Sequence, residues 1–354
     1  MDCVHICGAA LRLEGAASPA RAAVEEMLAC LPPCDPSSIF ATSGSASRPF
    51  PNTPVLTLSV HQLGQDAALD ALVPQWLPAQ IANLPASQEV ALFYDRDGDC
   101  AALAGNSQAL YCAWLSADAR HLSYLAQKRA EGLTPLSVSS VLVPVLREFF
   151  AAQGAALVHA AGLQSPSGHG ILLLAESGGG KTTSALSLVR AGARLLADDL
   201  AVLMQEDAEV YMQGIPEALN LTAQTMAFFP ELAAACRNLP GQRLLPNGKR
   251  ILRADAVYEK AYQFEPCRLH ALCLLELGGK APELRPVGVQ RAFGHLLHAH
   301  TFARGQRPSP RAMTALSAVL DTVPAFILQT GPDPASLGPW LMEAVAELQH
   351  PQPE

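Results

Sequence analysis

One octapeptide constrains the fold more than anything else in the chain. Ala175-Glu176-Ser177-Gly178-Gly179-Gly180-Lys181-Thr182 follows an apolar run, Ile171-Leu172-Leu173-Leu174, and opens a segment of helical character. It fits the [Ala/Gly]-x4-Gly-Lys-[Ser/Thr] phosphate-binding pattern. Each part has a mechanical reason. Glycines let successive backbone N–H groups turn inward around an anion. Lys181 brings a cation to the β and γ oxygens of a triphosphate, and the Thr182 hydroxyl can ligate Mg²⁺. The following helix turns its positive N-terminus toward the same anion. A strand before and a helix after are what separate such a loop from a glycine-rich turn with a surface lysine. The expected ligands are ATP and Mg²⁺, the nucleotide held by Ser177, Gly178, Gly179, Gly180, Lys181, Thr182 and Thr183.

Downstream, Asp198 and Asp199 stand inside an apolar run at 194–204 that reads as one strand. Carboxylates there are costly unless paired or metal-bound. Consecutive strand residues face opposite sides, so a regular strand would show only one of them to the phosphates. A bulge or a strand end would present both, one for Mg²⁺ and one as base toward an acceptor hydroxyl. Upstream, His159 lies in Leu157-Val158-His159-Ala160-Ala161-Gly162, within a second apolar run at 156–163. A lone histidine in a strand is ordinarily a satisfied core residue.

The order His-Ala-Ala-Gly, short hairpin, phosphate loop, then Gly192-Ala193-Arg194-Leu195-Leu196-Ala197-Asp198-Asp199 resembles the C-terminal catalytic domain of HPr kinase/phosphorylase. That domain is itself similar to the nucleotide core of phosphoenolpyruvate carboxykinase. The close likeness covers residues 157–204, with looser similarity to about residue 300. The resemblance implies that His159 is an active-site histidine and Lys181 the loop lysine. It also implies that Thr182 is the Mg²⁺-binding hydroxyl and that Asp199 accepts the substrate proton; of the two paired acids this leaves Asp198 as the one expected to hold Mg²⁺ with Thr182. The family loop ends in Lys-Ser where this chain has Lys-Thr, a chemically equivalent hydroxyl. Tyr211-Met212-Gln213-Gly214-Ile215-Pro216 stands where the bifunctional enzymes carry a signature Glu and Arg. Glu217 is the nearby substitute for that Glu. The layout is closer to HPr-kinase-like proteins found beside peptide-modification clusters, some of which phosphorylate a peptide serine.

The rest of the chain supplies organisation. Its 354 residues suit two domains. The expected division is an α+β recognition or docking domain at 1–134 and an HPr-kinase-like ATP-binding domain at 135–354, in a mixed α/β fold. Strands are expected at 3–13, 53–60, 90–94, 100–104, 109–115 and 170–175. Helices are expected at 19–31, 117–131 (after Ser116 as N-cap), 135–153 and 182–191. Residues 316–354, with a helix at 338–349, read as a packing element.

With 16% charged residues and a net charge of -8, the chain offers no global polycation for nucleic acid. No apolar stretch approaches the ~20 residues that span a bilayer. The start of the chain lacks the pattern of a signal peptide, so a cytoplasmic protein with no membrane partner is expected. The nine cysteines read as reduced thiols, although Cys3/Cys7 and Cys30/Cys34 form C-x3-C pairs.

Two further clusters stand out. Arg237, Arg243, Lys249, Arg250 and Arg253 occur with no acid between them, in a segment with Pro-Gly and Pro-Asn-Gly turns. This reads as a flexible basic loop that closes over phosphate or receives an acidic peptide, with Lys249 and Arg250 the favoured pair; the bland alternative is a solvated loop. His295, His298 and His300 lack neighbouring ligands at metal spacing.

The expected activity is transfer of the ATP γ-phosphate to a hydroxyl, on a serine of a peptide or small protein. The alternatives are a non-catalytic ATP-binding scaffold in a peptide-modification or secretion cluster, and a kinase of a small metabolite. No Asn-Lys-x-Asp motif for reading guanine is present. A homo-oligomer is a further expected assembly.

Overall fold

Short apolar runs separated by turn residues dominate the first 128 positions, and in the computed structural model they fold as strands. The structure describes residues 3–7, 9–29, 55–63, 72–82, 90–105, 109–128, 135–215, 217–238, 248–307 and 309–349. The chain's own contacts divide it into two units, Met1–Ala155 with Thr301–Met313, and Ala156–His300 with Thr314–Glu354.

The first unit contains β1 (Cys3–Ile6), β2 (Ala9–Glu14), α1 (Pro19–Leu28), β3 (Val55–Leu63), α2 (Leu77–Ala82), β4 (Ala91–Tyr94), β5 (Cys100–Gly105), β6 (Ala109–Leu115), β7 (His121–Lys128) and α3 (Pro135–Ala152). Its seven-stranded sheet has the order β1-β2-β3-β7-β6-β5-β4. β3 lies parallel to both neighbours, and the remaining pairs are antiparallel. α1 starts as its sequence dictates: the Ser18 hydroxyl accepts from the Arg21 amide at 3.2 Å, and proline occupies the first turn.

Three expectations change here. The run at 3–13 is a hairpin of two strands, turned at Cys7 with φ 46°. The stretch at 117–131 is not a helix where it is described. Ser116 caps a tight turn instead: its hydroxyl donates to Asp118 at 2.6 Å, and Ala119 takes φ 56°. β7 then pairs with β6 along its whole length. Lastly, α3 belongs by its contacts to the first unit, whereas the sequence division put it in the second. The helix buries Val141, Leu142, Val145, Leu146, Phe149 and Phe150, and packs on β5, β6 and α1.

The second unit holds β8 (Ala156–His159), β9 (Ala161–Gln164), β10 (Gly170–Leu174), α4 (Lys181–Arg190), β11 (Arg194–Ala197), β12 (Leu200–Glu206), β13 (Glu209–Gly214), β14 (Leu219–Leu221), α5 (Ala223–Phe228), α6 (Pro230–Asn238), β15 (Arg250–Leu252), β16 (Cys267–Glu276), β17 (Gly278–Pro286) and α7 (Val289–Ala299). After α8 (Pro310–Thr322) come β18 (Ala325–Gly331) and α9 (Leu337–Gln349). The nine-stranded sheet runs β11-β9-β10-β16-β13-β12-β8, with β18 joining β16 to β17. β10, β16 and β18 are parallel, whereas β9 is antiparallel to β10 and to β11.

Two expected strands are broken. The run at 156–163 splits at Ala160: β8 pairs with β12, while β9 pairs with β10 and β11. The run at 194–204 splits at Asp198 and Asp199, with β11 on β9 and β12 on β8 and β13. The breaks are tied together, because the Ala160 amide donates to the Asp199 carbonyl at 3.1 Å. Gly214 shows why no regular strand passes here. A Cβ at that position would stand 1.6 Å from the Leu196 carbonyl oxygen.

α4 and α9 pack together over this sheet, burying Leu186, Leu188, Leu337, Leu341 and Val345. Cys100, Cys112, Cys236, Cys267 and Cys273 are buried free thiols; Cys30 and Cys34 lie outside the described residues. Among the described residues no helix is long and apolar enough to cross a membrane.

Candidate functional site

The loop after β10 turns into α4 through Gly180, which takes φ 86° as the helix N-cap, a conformation glycine adopts without steric cost. The Lys181 side chain folds back along the loop, and its ammonium donates to the Ala175 carbonyl at 2.9 Å. Burial draws the Lys181 pKa below its ordinary value, partly offset by the charges of Asp199 and Asp198. The loop borders a cleft of about 510 Å³, within the usual range of roughly 300–1,000 Å³ for small-molecule sites.

The breaks at Ala160 and Asp198-Asp199 bring His159 and Asp199 to this cleft, with Asp198 buried beside Thr182. Thr182 Oγ1 donates to Asp198 Oδ2 at 2.9 Å. His159 Nε2 lies 3.1 Å from Asp199 Oδ1. The two adjacent carboxyls then diverge. Asp198 is 2% exposed, and burial with the neighbouring Asp199 charge pushes its pKa up to about 7, against the pull of the Thr182 hydroxyl and Lys181. Burial also acts on Asp199, but the His159 hydrogen bond and the charges of His159, Lys181 and Lys249 outweigh it. They hold that carboxyl below the usual range. An ionised carboxylate only accepts, so the His159 Nε2 carries the proton of the pair. Carboxyls driven apart in this way are suited to different tasks.

Glu217 joins the same electrostatic neighbourhood. Burial, then the Asp199 and Asp198 charges, push its carboxyl up to about 8. Among the described residues no three His, Cys, Asp or Glu side chains converge as a ready metal cage. The donor set nonetheless fits a hard divalent cation. Asp198 Oδ1 is buried without a hydrogen-bond partner, and its other oxygen already meets the Thr182 hydroxyl.

The structure thus gathers Ser177, Gly178, Gly180, Lys181, Thr182, Thr183, His159, Asp199 and Lys249 along one cleft, with Asp198 behind Thr182 and Gly179 within the loop. Arg250 does not line it, but lies in β15 opposite Leu221. Of the other cations in the basic segment, Arg237 ends α6. Arg253 pairs with Asp255 at 2.6 Å and covers the Tyr262 ring, and Arg243 lies outside the described residues. His300 is buried, 2.7 Å from the Leu157 carbonyl oxygen, which anchors the end of α7 to β8.

Sequence reasoning passed over Asn220, Thr225, Phe228, Leu277, Thr330 and Pro332, which also line the cleft. The last of these sits in a C-terminal stretch read as packing alone. The one available signal was glycine after an apolar run, at Leu277-Gly278 and Gly331-Pro332. It becomes informative only once the strands before it are known to run parallel to β10.

No family model matches the chain. Curated relatives match over 53 residues. HPr kinase/phosphorylase of Bacillus pumilus (strain SAFR-032) is 44% identical there, covering 15% of this chain and 17% of that protein. The enzyme of the same name from Bacillus subtilis (strain 168) is 42% identical over the same shares. The chain therefore spans about a sixth of the length of the relatives it matches. Among solved structures, the Hpr(Ser) kinase/phosphatase from Coxiella burnetii aligns with a TM-score of 0.29 and 12% identity, over 55% of this chain and 95% of that one. That global likeness is too slight to bear on function.

Proposed function

We propose that this HPr-kinase-related chain is an ATP-dependent kinase that transfers the γ-phosphate to a hydroxyl, on a serine of a peptide or small protein. The observation that carries the reading is the divergence of two adjacent carboxyls beside a phosphate loop. Asp198 is turned inward to Thr182, and Asp199 is held ionised and accessible by His159. The peptide or protein acceptor rests on the relatives' printed name, which pairs a kinase with HPr.

In this reading the loop amides and Lys181 bind and orient the β and γ phosphates. Asp199 takes the proton from the acceptor hydroxyl, and His159 donates to Asp199 to keep its carboxylate aimed. Mg²⁺, when bound, would be held by Thr182 and Asp198 and would neutralise charge on the phosphate oxygens. Lys249 adds a cation at the cleft wall. Catalysis of this kind is positioning and charge neutralisation, with little covalent work for the protein. The N-terminal unit is assigned to recognition or docking of the acceptor.

A second reading, an ATP-binding regulator without transferase activity, is favoured by one observation: among the described residues the acids do not form a cage of three. Incubation with γ-labelled ATP, Mg²⁺ and a panel of serine, threonine and alanine peptides separates the two. Label on serine peptides that disappears with Asp199→Asn supports the kinase. Tight ATP binding with no label on any peptide or on released phosphate would sink it.

A further inference from the structure

The acid pair and the phosphate loop account for one wall of the cleft; the opposite wall has different chemistry. Because β10, β16 and β18 run parallel, their C-terminal ends emerge along one edge, where open α/β sheets take their ligands. The loop after β10 is the phosphate loop. The loop after β16 contributes Leu277 and Gly278 to the cleft, and the loop after β18 contributes Pro332 and Pro334. On the other flank, beyond β9, the end of β11 delivers Asp198 and Asp199. The phosphate loop therefore stands between an acidic wall and an apolar one.

The apolar wall is preformed. Leu277 is 57% exposed and rests on the phosphate loop, where a Cβ on Gly180 would meet its Cδ2 at 2.5 Å. The Thr330 hydroxyl accepts from the Gly278 amide at 3.2 Å, joining the β18 end to the β16 loop. The Ser187 hydroxyl donates to the Ala335 carbonyl and accepts from the Gly338 amide, both at 2.8 Å, which fixes the proline loop to α4. The wall is thus held by the helix that carries Lys181 and Thr182 at its start.

We infer that Leu277, Pro332 and Pro334 form the nucleobase subsite, gripping the flat face of the base, while the acceptor enters at the acid wall. The inference rests on the phosphate-loop reading above. A nucleoside triphosphate has one polyanionic end, which the loop and Lys181 select, and one flat, uncharged heterocycle, which gains most from apolar surface. Phe228 and Asn220 also line the cleft, from the segment of β14 and α5 whose Thr225 hydroxyl meets that of Thr183 at 3.1 Å, so a variant at Phe228 serves as the competing position in the test.

Calorimetric titration with ATP and with inorganic tripolyphosphate, which lacks a base, tests this. The wild-type chain is expected to bind ATP more tightly than tripolyphosphate. Leu277→Ala should weaken ATP by about tenfold and leave tripolyphosphate unchanged, which also reports that the variant is folded. Pro332→Ala, in a separate loop, should shift the same way. Full ATP preference in both variants overturns the subsite, as does loss of the preference in Phe228→Ala instead. Equal binding of ATP and tripolyphosphate by the wild type refutes the subsite while sparing the phosphate loop. A wild-type chain that binds neither refutes the loop reading, and the subsite with it.

Discussion

Thr182 Oγ1 donates to Asp198 Oδ2 at 2.9 Å, joining the first turn of α4 to the gap between β11 and β12. This bond ties the phosphate loop to the acid pair. The hydroxyl and the carboxyl meet because the strand stops at Ala197.

Lys181→Ala should abolish phosphoryl transfer, by at least about a hundredfold, and weaken ATP binding. Turnover of γ-labelled ATP measures the first effect and calorimetry the second. Unchanged turnover in a folded variant would remove Lys181 from the site.

Asp199→Asn should spare ATP affinity while lowering turnover by about a hundredfold or more, the usual contribution of a positioned base. The discriminating readout is kcat against the ATP dissociation constant. A loss confined to ATP affinity would reassign the residue to binding.

The metal-free protein should become less stable as pH rises toward 8. Burial and neighbouring charge lift the Asp198 pKa from 3.8 to about 7, and burial with the two aspartates lifts Glu217 from 4.5 to about 8. A folded acid with a raised pKa holds protons that the unfolded chain has released. Its contribution is therefore full at low pH and is lost through those windows as pH rises. Thermal melting in EDTA at pH 5.5 and pH 8 should show a drop that Asp198→Asn makes smaller. Equal pH dependence in the two proteins would contradict a buried Asp198 carboxyl with a raised pKa.

Gly214→Ala should destabilise the second unit by on the order of 3 kcal/mol. The new methyl would stand 1.6 Å from the Leu196 carbonyl, which is backbone and cannot swing aside. Chemical denaturation measures the loss, and a neutral outcome would mean that β13 does not press on β11 as described.

The parts legible in the sequence were those written locally. The phosphate loop is read from consecutive residues because its function is a local backbone shape, and the helix expected at 19–31 is likewise found, as α1 over Pro19–Leu28. The helix expected after Ser116 failed because a serine with an aspartate two residues on caps a turn as readily as a helix; the choice fell to pairing with β6. The runs at 156–163 and 194–204 looked continuous because apolar content reports burial, not which neighbour a strand joins.

By itself, the sequence determined that this chain carries a phosphate-binding loop between a strand and a helix, with a histidine and two acids within reach along the chain. Those follow from residue type and short spacing. Only the tertiary structure decided that Asp199 faces the cleft while Asp198 turns in behind Thr182, that Lys249 and not Arg250 lines the cleft beside Asp199, and that Leu277 and Pro332 build the opposite wall. The physical reason is that strand breaks and parallel strand ends are set by pairing between distant segments. A close approach such as Gly214 against Leu196 exists only once the sheet has formed.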